Sequence, residues 1–178
     1  SQTLIYTHKS PALHEILKSL MVRSDNLFAE SILRAISKGK SLNNAIDTEL
    51  LIWQKRGFNT SFISIRDGSG LSRTNRLSPK FMASMLKWMN NSPYIDRYVR
   101  LFPISGRTGT LKNFLDGTRL EGCLAMKTGS MNGVQCYAGY KIDDNYKPTH
   151  IVIVMVNHFF CQRASLRTAI EKMLLNTL

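Results

Sequence analysis

Residues 125–140 read AMKTGSMNGVQCYAGY, and the Asn132-Gly133 pair near their centre predicts a β-hairpin. Asn-Gly supplies the two positive-φ positions of a type I′ turn, and the residues on either side favour extended backbone. In that register Cys136 lies opposite Gly129 on the neighbouring strand. The Lys-Thr-Gly tripeptide that ends at Gly129 therefore belongs to the first strand of the hairpin.

The first strand of this hairpin carries groups suited to an anionic ligand. Lys127 supplies positive charge, while Thr128 and Ser130 supply hydroxyl donors. Gly129 has no side chain that would keep a ligand away from the backbone. The pattern indicates an anion-binding strand, and an ordinary exposed lysine on a hairpin is the alternative interpretation.

Length and composition indicate one globular domain, because the chain has 178 residues and 43% of them are hydrophobic. The formal net charge of +12 permits a polyanionic partner such as nucleic acid, an anionic cell-wall polymer or a membrane surface. The basic residues are scattered and form no tail or helical stripe, so no nucleic acid partner is predicted. The longest apolar run, Ile151 to Val156, is too short to cross a bilayer and predicts a buried strand.

The three cysteines do not predict a disulfide. Cys123 would lie about six residues, or roughly 20 Å, along the ladder from the position opposite Cys136, well beyond disulfide reach. We expect the cysteines to be small buried hydrophobic residues, and no metal site is predicted. Because Ser1 is not a methionine and no charged-then-apolar leader precedes it, we expect an internal or C-terminal piece, and any targeting segment would lie outside these residues.

Apolar residues at helical spacing recur along most of the first ninety residues and again at the end of the chain. The predicted helices cover residues 11–21, 27–38, 43–55, 78–89 and 163–175. Short strands are predicted at residues 62–65 and 150–157, in addition to the two strands of the hairpin. This order of elements indicates an α+β fold, with helices packed on one or both faces of an antiparallel sheet.

A second motif is Ser24-Asp25-Asn26, where three cap-forming residues interrupt the helical spacing. The interruption predicts a tight connection between two helices. Ser-x-Asn also occurs at residues 41–43 and 130–132. The first occurrence is favoured because an interhelical corner presents short side chains to a cleft, whereas Ser41 is placed to cap its own helix. Local helix capping is the alternative interpretation of residues 24–26.

Four blocks occur in order along the chain: LIYTHKSP at residues 4–11, SDNLFAES at 24–31, DGSGLSR at 67–73 and KTGSMNG at 127–133. Together they resemble the serine D-alanyl-D-alanine carboxypeptidase/endopeptidase family, the low-molecular-mass class C penicillin-binding proteins. The resemblance implies a penicillin-binding-protein/serine β-lactamase-like transpeptidase fold. It also implies action on the D-Ala-D-Ala end, or a D-amino-acid cross-link, of peptidoglycan stem peptides, binding of β-lactam antibiotics, and a periplasmic or other extracytoplasmic location.

The chain departs from the family pattern at the nucleophile. In the family, the nucleophilic serine lies in a Ser-x-x-Lys sequence on a helix before Ser-x-Asn, and no such sequence precedes Ser24. Residues 37–40 and 84–87 have the pattern, but both follow Ser24, and we interpret them as chance matches. Residues 1–178 are therefore expected to be the C-terminal part of a catalytic domain without its nucleophile segment, and the isolated chain is expected to be inactive.

The resemblance assigns three residues to catalysis. Ser24 would relay a proton to the leaving amine. The backbone N–H of Ser130 would form half of an oxyanion hole, a contribution of about 3 kcal/mol per donor. Lys127 would attract the terminal carboxylate of the substrate and raise the positive potential of the site. An acyl-enzyme route needs no metal or organic cofactor, so none is predicted.

Three further residues are assigned to substrate binding by the same resemblance. Asn26 would hydrogen-bond a peptide group of the substrate, and Thr128 would donate to its carboxylate. Gly129 would let the substrate lie against the strand. By contrast, residues 67–73 and 106–110 are expected to shape the domain rather than touch the bond that is broken.

Two other functions remain open from the residues alone. A β-lactamase or esterase of the same fold would use the same Ser-x-Asn and Lys-Thr-Gly elements. A non-catalytic fragment that binds cell-wall peptide or nucleic acid would fit the basic charge and the missing nucleophile. The first alternative differs from the leading one in how the acyl-enzyme is hydrolysed, and the second differs in whether one forms.

Overall fold

The computed structural model describes residues 5–38 and 41–178. Helices come first, a three-stranded antiparallel sheet follows, and a helix closes the chain, so the predicted α+β class is confirmed. The helices are α1 (Leu13–Arg23), α2 (Asn26–Ile36), α3 (Leu42–Lys55), α4 (Pro79–Asn90), α5 (Ile95–Val99) and α6 (Arg163–Thr177), and the strands are β1 (Leu124–Met131), β2 (Val134–Ile142) and β3 (Pro148–Asn157).

The five predicted helices are confirmed with ends that differ by at most two residues. Local signals explain this accuracy. Helix α4, for example, begins at Pro79 in the first helical position, and the Ser78 hydroxyl accepts a hydrogen bond of 3.1 Å from the Phe81 N–H. The five-residue helix α5 and a short 3₁₀ turn at Gly109–Leu111 were not predicted.

The sheet has the strand order β1-β2-β3, with both pairs antiparallel. Cys136 lies opposite Gly129, as the hairpin register predicts. The predicted type I′ turn is wrong, because Gly133 has a φ of 72° whereas Asn132 is not at positive φ. One positive φ at the second central residue is the requirement of a type II turn, and glycine meets it without steric cost.

The predicted strand at residues 62–65 is also wrong, since only an isolated antiparallel bridge joins Ser64 to Arg76. Side chains take the place of a strand ladder in this segment. The N–H of Arg66 donates to Asn75 Oδ1 at 2.8 Å, and Phe62 is 78% exposed. Ile65 packs against the core formed by Leu33, Ala45 and Ile46, but in the part of the chain that the structure describes no neighbouring strand pairs with the segment beyond this one bridge.

Both faces of the sheet are covered. On one face, α6 and the segment before β1 form a core that includes Phe114, Met126, Tyr137 and Ile170. On the other face, helices α4 and α5 pack against Tyr140, which is fully buried and donates from its hydroxyl to the Leu86 carbonyl at 2.8 Å. The sheet is therefore a fixed platform between two helical layers.

Gly139 sets how closely β1 approaches β2. A Cβ at this position would lie 2.1 Å from the Ala125 carbonyl oxygen and 2.7 Å from the Met126 Cα. Any side chain would collide with backbone atoms of β1. Gly139 on β2 thus allows the close approach that determines the position of β1, the Lys-Thr-Gly strand.

All three cysteines are free in the structure. Their predicted burial is wrong for Cys161, which is exposed, while Cys123 and Cys136 are half-buried. Among the described residues, no helix is long and apolar enough to span a membrane.

Candidate active site

The corner between α1 and α2 presents the Ser-Asp-Asn residues, and the predicted interhelical connection is confirmed. Ser24 ends α1 in the left-handed conformation, with φ 58° and ψ 51°. Asp25 is the N-cap of α2, and its carboxylate accepts a 3.0 Å hydrogen bond from the Phe28 N–H. The capping role therefore belongs to Asp25, which leaves the Ser24 hydroxyl available for another partner.

That partner is Lys127 on β1. Its Nζ donates to Ser24 Oγ at 2.5 Å and to the Thr128 carbonyl oxygen at 2.8 Å. The two side chains are 103 positions apart in sequence. Because the ammonium has only protons to give, Ser24 Oγ is the acceptor in this pair, and its own proton is free to point to another group.

Burial lowers the pKa of the Lys127 ammonium below its usual value of 10.5. The side chain is half-buried, and its two oxygen partners are uncharged. A partly desolvated cation with neutral partners retains an unsatisfied attraction for an anion. The site is thus suited to receive a carboxylate.

The outer edge of β1 is paired at its start and free further along. The Ser105 N–H donates to the Leu124 carbonyl at 2.9 Å, and the Met126 N–H donates to the Pro103 carbonyl at 3.1 Å. In an antiparallel strand every second residue directs its N–H and C=O to the same edge. Thr128 and Ser130 therefore face this edge as well. Among the described residues, no backbone bridge covers the edge beyond Met126.

The sequence-predicted donor on this edge is the Ser130 N–H, which the alternation directs away from β2. The Ser130 hydroxyl has a different direction, because it donates to Gln135 Oε1 at 2.9 Å. Side chains alternate along a strand, so Lys127 and Gly129 share one face while Thr128 and Ser130 share the other. The structure thus brings the Ser24 hydroxyl to Lys127, but not the Ser130 hydroxyl.

The fold does not require glycine at position 129. Gly129 is exposed, has no positive φ, and a Cβ there would meet only the Cys136 Cβ, at an ordinary contact distance of 3.8 Å. Space in front of this residue is therefore open to a ligand. Asn26 is also exposed, as the first residue of α2, and Thr128 is half-buried.

A cavity of about 730 Å³ lies at the tip of the hairpin. The segment of residues 70–78 forms one wall, and Met131, Cys136 and Met155 belong to the sheet side. Arg73 and Arg76 contribute the positive charge of the lining. The cavity continues from the face of the sheet that carries Lys127 and Gly129, since Gly129 pairs with Cys136.

The loop at residues 67–73 is held by two carboxylates, its own Asp67 and Glu30 of α2. Asp67 accepts hydrogen bonds from the Gly70 and Ser72 N–H groups, at 2.8 and 2.6 Å. Glu30 of α2 accepts from the Gly68 N–H at 3.1 Å. These contacts support a structural role for the loop, which is tied to the helix that begins with Asn26.

The segment at residues 106–110 is likewise organised by internal hydrogen bonds. The Ile104 N–H donates to Thr108 Oγ1 at 2.9 Å, and Gly109 is at positive φ, close against Val22.

The two Ser-x-x-Lys matches lie away from this site. Ser37 is buried, and its hydroxyl donates to the Arg34 carbonyl at 2.9 Å. Its partner Lys40 lies outside the described residues. Ser84 lines a separate cavity of about 550 Å³ together with Trp88. Within residues 5–38 and 41–178, no cluster of His, Cys, Asp or Glu has the geometry to hold a metal ion.

Sequence reasoning missed two residues beside the predicted donor. Gln135 Oε1 accepts a hydrogen bond from the Ser130 hydroxyl, and Arg163 at the start of α6 donates to the same oxygen at 2.6 Å. The position of Gln135 follows from the hairpin register, which places it opposite Ser130. Nothing in the local sequence of Arg163 indicates that it reaches the hairpin.

This arrangement of helices and sheet is that of a penicillin-binding protein. The crystal structure of penicillin binding protein 4 (DacB) from Haemophilus influenzae superposes with a TM-score of 0.81 and 29% sequence identity, over 91% of this chain and 38% of that chain. Residues 1–176 match the D-Ala-D-Ala carboxypeptidase 3 (S13) family. The chain belongs to this family, which confirms the resemblance drawn from the four sequence blocks.

Curated relatives of this chain are named as carboxypeptidases of the same kind. The chain is 33% identical to the D-alanyl-D-alanine carboxypeptidase DacB of Haemophilus influenzae over 144 residues, which is 77% of this chain and 30% of that relative. It is 35% identical to the carboxypeptidase DacB of Mycolicibacterium smegmatis over 151 residues, which is 79% of this chain and 33% of that relative. The chain thus spans about a third of the length of these relatives.

Proposed function

We propose that this chain forms part of a serine-type D-Ala-D-Ala carboxypeptidase or endopeptidase that acts on peptidoglycan stem peptides through an acyl-enzyme. The observation that carries the proposal is the 2.5 Å contact between Lys127 Nζ and Ser24 Oγ. It unites the Ser-x-Asn and Lys-Thr-Gly elements beside an unpaired strand edge. Membership of the S13 family supports the same reaction class.

The substrate would lie as an extended peptide along the free edge of β1. Its terminal carboxylate would approach Lys127 at the strand edge, with the Thr128 hydroxyl as a second donor from the other face of the strand. Asn26 would hydrogen-bond a peptide group of the substrate from the opposite side. The remainder of the stem peptide would extend past Gly129 into the cavity that Arg73 lines, where positive charge suits its acidic groups.

The nucleophilic serine would come from a segment outside these 178 residues. Its oxygen would attack the carbonyl carbon of the penultimate D-alanine, and the oxyanion would receive a hydrogen bond from the Ser130 N–H. Ser24 would relay the proton that the attacking serine releases to the nitrogen of the leaving D-alanine, and the peptide bond would break. Water would then hydrolyse the ester and restore the serine.

β-Lactam antibiotics would acylate the same serine, because their strained amide presents the carbonyl and carboxylate groups that the site is suited to bind. Penicillin binding protein 4 of Haemophilus influenzae has been solved in complex with a β-lactam, which supports this part of the proposal. Because peptidoglycan lies outside the cytoplasmic membrane, the protein would act in the periplasm or another extracytoplasmic space.

The experiment that tests the proposal is the intact mass of the protein after incubation with benzylpenicillin, with the adduct located by peptide digestion. The full-length protein should gain one penicilloyl group on a Ser-x-x-Lys serine outside this chain, and the isolated 178 residues should gain none. An adduct on Ser37 or Ser84 would contradict the assignment of the nucleophile.

Hydrolysis rates separate the leading proposal from the other functions. A peptidase should release D-alanine from a D-Ala-D-Ala peptide and hold the penicilloyl group for long periods. Rapid turnover of penicillin without D-alanine release would instead identify a β-lactamase. A full-length protein that binds peptidoglycan without acylation would identify a non-catalytic cell-wall-binding module.

A further inference from the structure

Arg163, the first residue of α6, joins the two strands of the hairpin. Its Nη2 donates to the Met131 carbonyl at 2.8 Å, and its Nη1 donates to the Val134 carbonyl at 3.2 Å. Met131 and Val134 are the residues that face each other directly before and after the turn. The guanidinium therefore ties β1 to β2 at the last residue pair before the turn.

The same guanidinium is connected to Ser130 through one atom. Arg163 Nη1 donates to Gln135 Oε1 at 2.6 Å, and the Ser130 hydroxyl donates to that oxygen at 2.9 Å. An amide oxygen has two lone pairs, and both are used here. Gln135 is only 5% exposed, so its side chain has little freedom to turn away. The position of Ser130 thus depends on contacts made by a residue of helix α6.

The end of β1 needs such support because it is held from one side only. Strand β2 lies between two neighbours, whereas in the described part of the chain β1 beyond Met126 has β2 as its backbone partner and a free outer edge. Ser130 is two residues from the turn, where an isolated hairpin is least stable. A donor that stabilises an oxyanion must be oriented before the reaction begins. An unsupported strand end would not meet that condition.

We propose that Arg163, acting through Gln135, is a positioning residue that fixes the direction of the Ser130 N–H for acyl transfer. This inference rests on the proposed role of Ser130. Arg163 itself makes no contact at Lys127 or Ser24, and its bonds end on the turn side of the hairpin. The chemical requirement is a planar group that can donate to two strands at once, which arginine satisfies and lysine does not.

The first test measures order at the Ser130 amide by ¹⁵N relaxation in the full-length protein. The wild-type amide should have an order parameter typical of a rigid strand, about 0.85, and Arg163→Gln should lower it toward about 0.6 at residues 130–135. Arg163→Lys should behave like the glutamine variant, because a single ammonium cannot bridge both strands. Lys127 in the middle of β1 should remain ordered in every variant.

The matched control is Arg167→Gln. Arg167 lies one turn further along α6 and pairs with Glu171 at 3.0 Å, so the control removes the same charge from the same helix without removing a hydrogen bond to the hairpin. A second variant, Gln135→Met, breaks the connection to Ser130 while leaving the Arg163 bonds to both carbonyls. It should disorder the Ser130 amide and preserve the Met131–Val134 pair. Unchanged order at the Ser130 amide in Arg163→Gln and in Gln135→Met would overturn the inference.

The second test measures acylation in the full-length enzyme. Arg163→Gln should lower the rate constant of acylation by benzylpenicillin roughly tenfold to a hundredfold, since a displaced oxyanion donor loses much of its effect. The fraction of enzyme that becomes acylated should not change. A role in stability alone would lower that fraction and spare the rate constant, which would contradict positioning.

The two proposals fail in different ways. If wild-type full-length protein does not react with penicillin, the proposed function is wrong, whatever the relaxation data show. If the wild type reacts and Arg163→Gln reacts at the same rate, the proposed function stands and the positioning role is wrong.

Discussion

The Nζ atom of Lys127 donates a hydrogen bond to the hydroxyl of Ser24 across 2.5 Å, and this contact joins the edge strand of the sheet to the corner between the first two helices. In the proposed site this relationship would serve two purposes. The cation would attract the carboxylate of the substrate, and the hydrogen bond that it donates leaves the serine proton free for transfer to the leaving nitrogen. Both purposes depend on the same short distance.

Lys127→Ala in the full-length enzyme should lower the rate of acylation by benzylpenicillin by orders of magnitude, because the carboxylate loses its cationic partner. Lys87→Ala is the matched control, since Lys87 is exposed on α4 and belongs to the discarded Ser-x-x-Lys match. Its acylation rate should equal that of the wild type. A normal rate in the Lys127 variant would remove this residue from the site.

The ionisation of Lys127 should be unusual in the isolated chain as well. Burial lowers its pKa, so an NMR titration should place its midpoint below 10.5. Ser24→Ala should lower the midpoint further, because it removes an acceptor that favours the charged form. Ser31→Ala, an exposed serine on α2, should leave the midpoint unchanged.

The direction of the pKa shift also fixes its effect on stability. Between the folded pKa and the unfolded value, the unfolded chain binds more protons at this lysine than the folded chain does. The contribution of Lys127 to the free energy of unfolding therefore rises as the pH increases through that window. A Lys127 midpoint at or above 10.5 would contradict this description.

Two glycines in the same hairpin should respond in opposite ways to alanine. Gly129→Ala should change the free energy of unfolding by less than about 0.5 kcal/mol, because the added Cβ meets only Cys136 at an ordinary distance. Gly139→Ala should destabilise the protein by roughly 3 kcal/mol, because its Cβ collides with the backbone of β1. Urea unfolding of the two variants measures both values.

The same two variants should lose acylation for different reasons. Gly129→Ala places a methyl group where the substrate would lie, so the full-length variant should fold normally and acylate slowly. Gly139→Ala displaces β1, which carries Lys127, so this variant should lose both stability and acylation rate. Normal acylation by Gly129→Ala would show that the open space in front of the strand is not used by the ligand.

At the corner between α1 and α2, two variants distinguish helix capping by Asp25 from the proposed proton transfer by Ser24. Asp25→Ala should lower the free energy of unfolding by about 1 kcal/mol, since Asp25 accepts the Phe28 N–H. Ser24→Ala should cost less than about 0.5 kcal/mol but slow acylation roughly a hundredfold or more, the usual effect of losing a proton-transfer group. If Ser24→Ala lost stability and kept its acylation rate, capping would be its role.

Local signals explain which parts of the fold could be predicted. Asn132-Gly133 determined the hairpin register correctly, because a two-residue turn leaves one way to pair the flanking strands. The turn type was wrong because the same dipeptide fits more than one turn, and only Gly133 adopts a positive φ here. The prediction of a strand at residues 62–65 was wrong because hydrogen bonds to side chains, such as that from the Arg66 N–H to Asn75, take the place of backbone hydrogen bonds to a neighbouring strand.

The candidate site was predictable only in part. Ser24 and Lys127 were selected by motif and by family resemblance, yet their contact spans 103 positions and follows from how the helices pack on the sheet. Arg163 was not selected, because its contacts depend on where α6 begins relative to the turn. A tertiary contact such as that of Arg163 leaves no local pattern in the sequence, whereas a turn or a cap does.

The unpaired edge of β1 also bears on how copies of this protein behave at high concentration. Exposed N–H and C=O groups on an edge strand are a template for another strand, and hence for aggregation. Here the open stretch is short, extends only from Thr128 to the turn, and begins beside the charge of Lys127. The net charge of +12 adds repulsion between copies. Because added salt screens that repulsion, ionic strength should determine whether the edge stays available to a peptide or is lost to self-association.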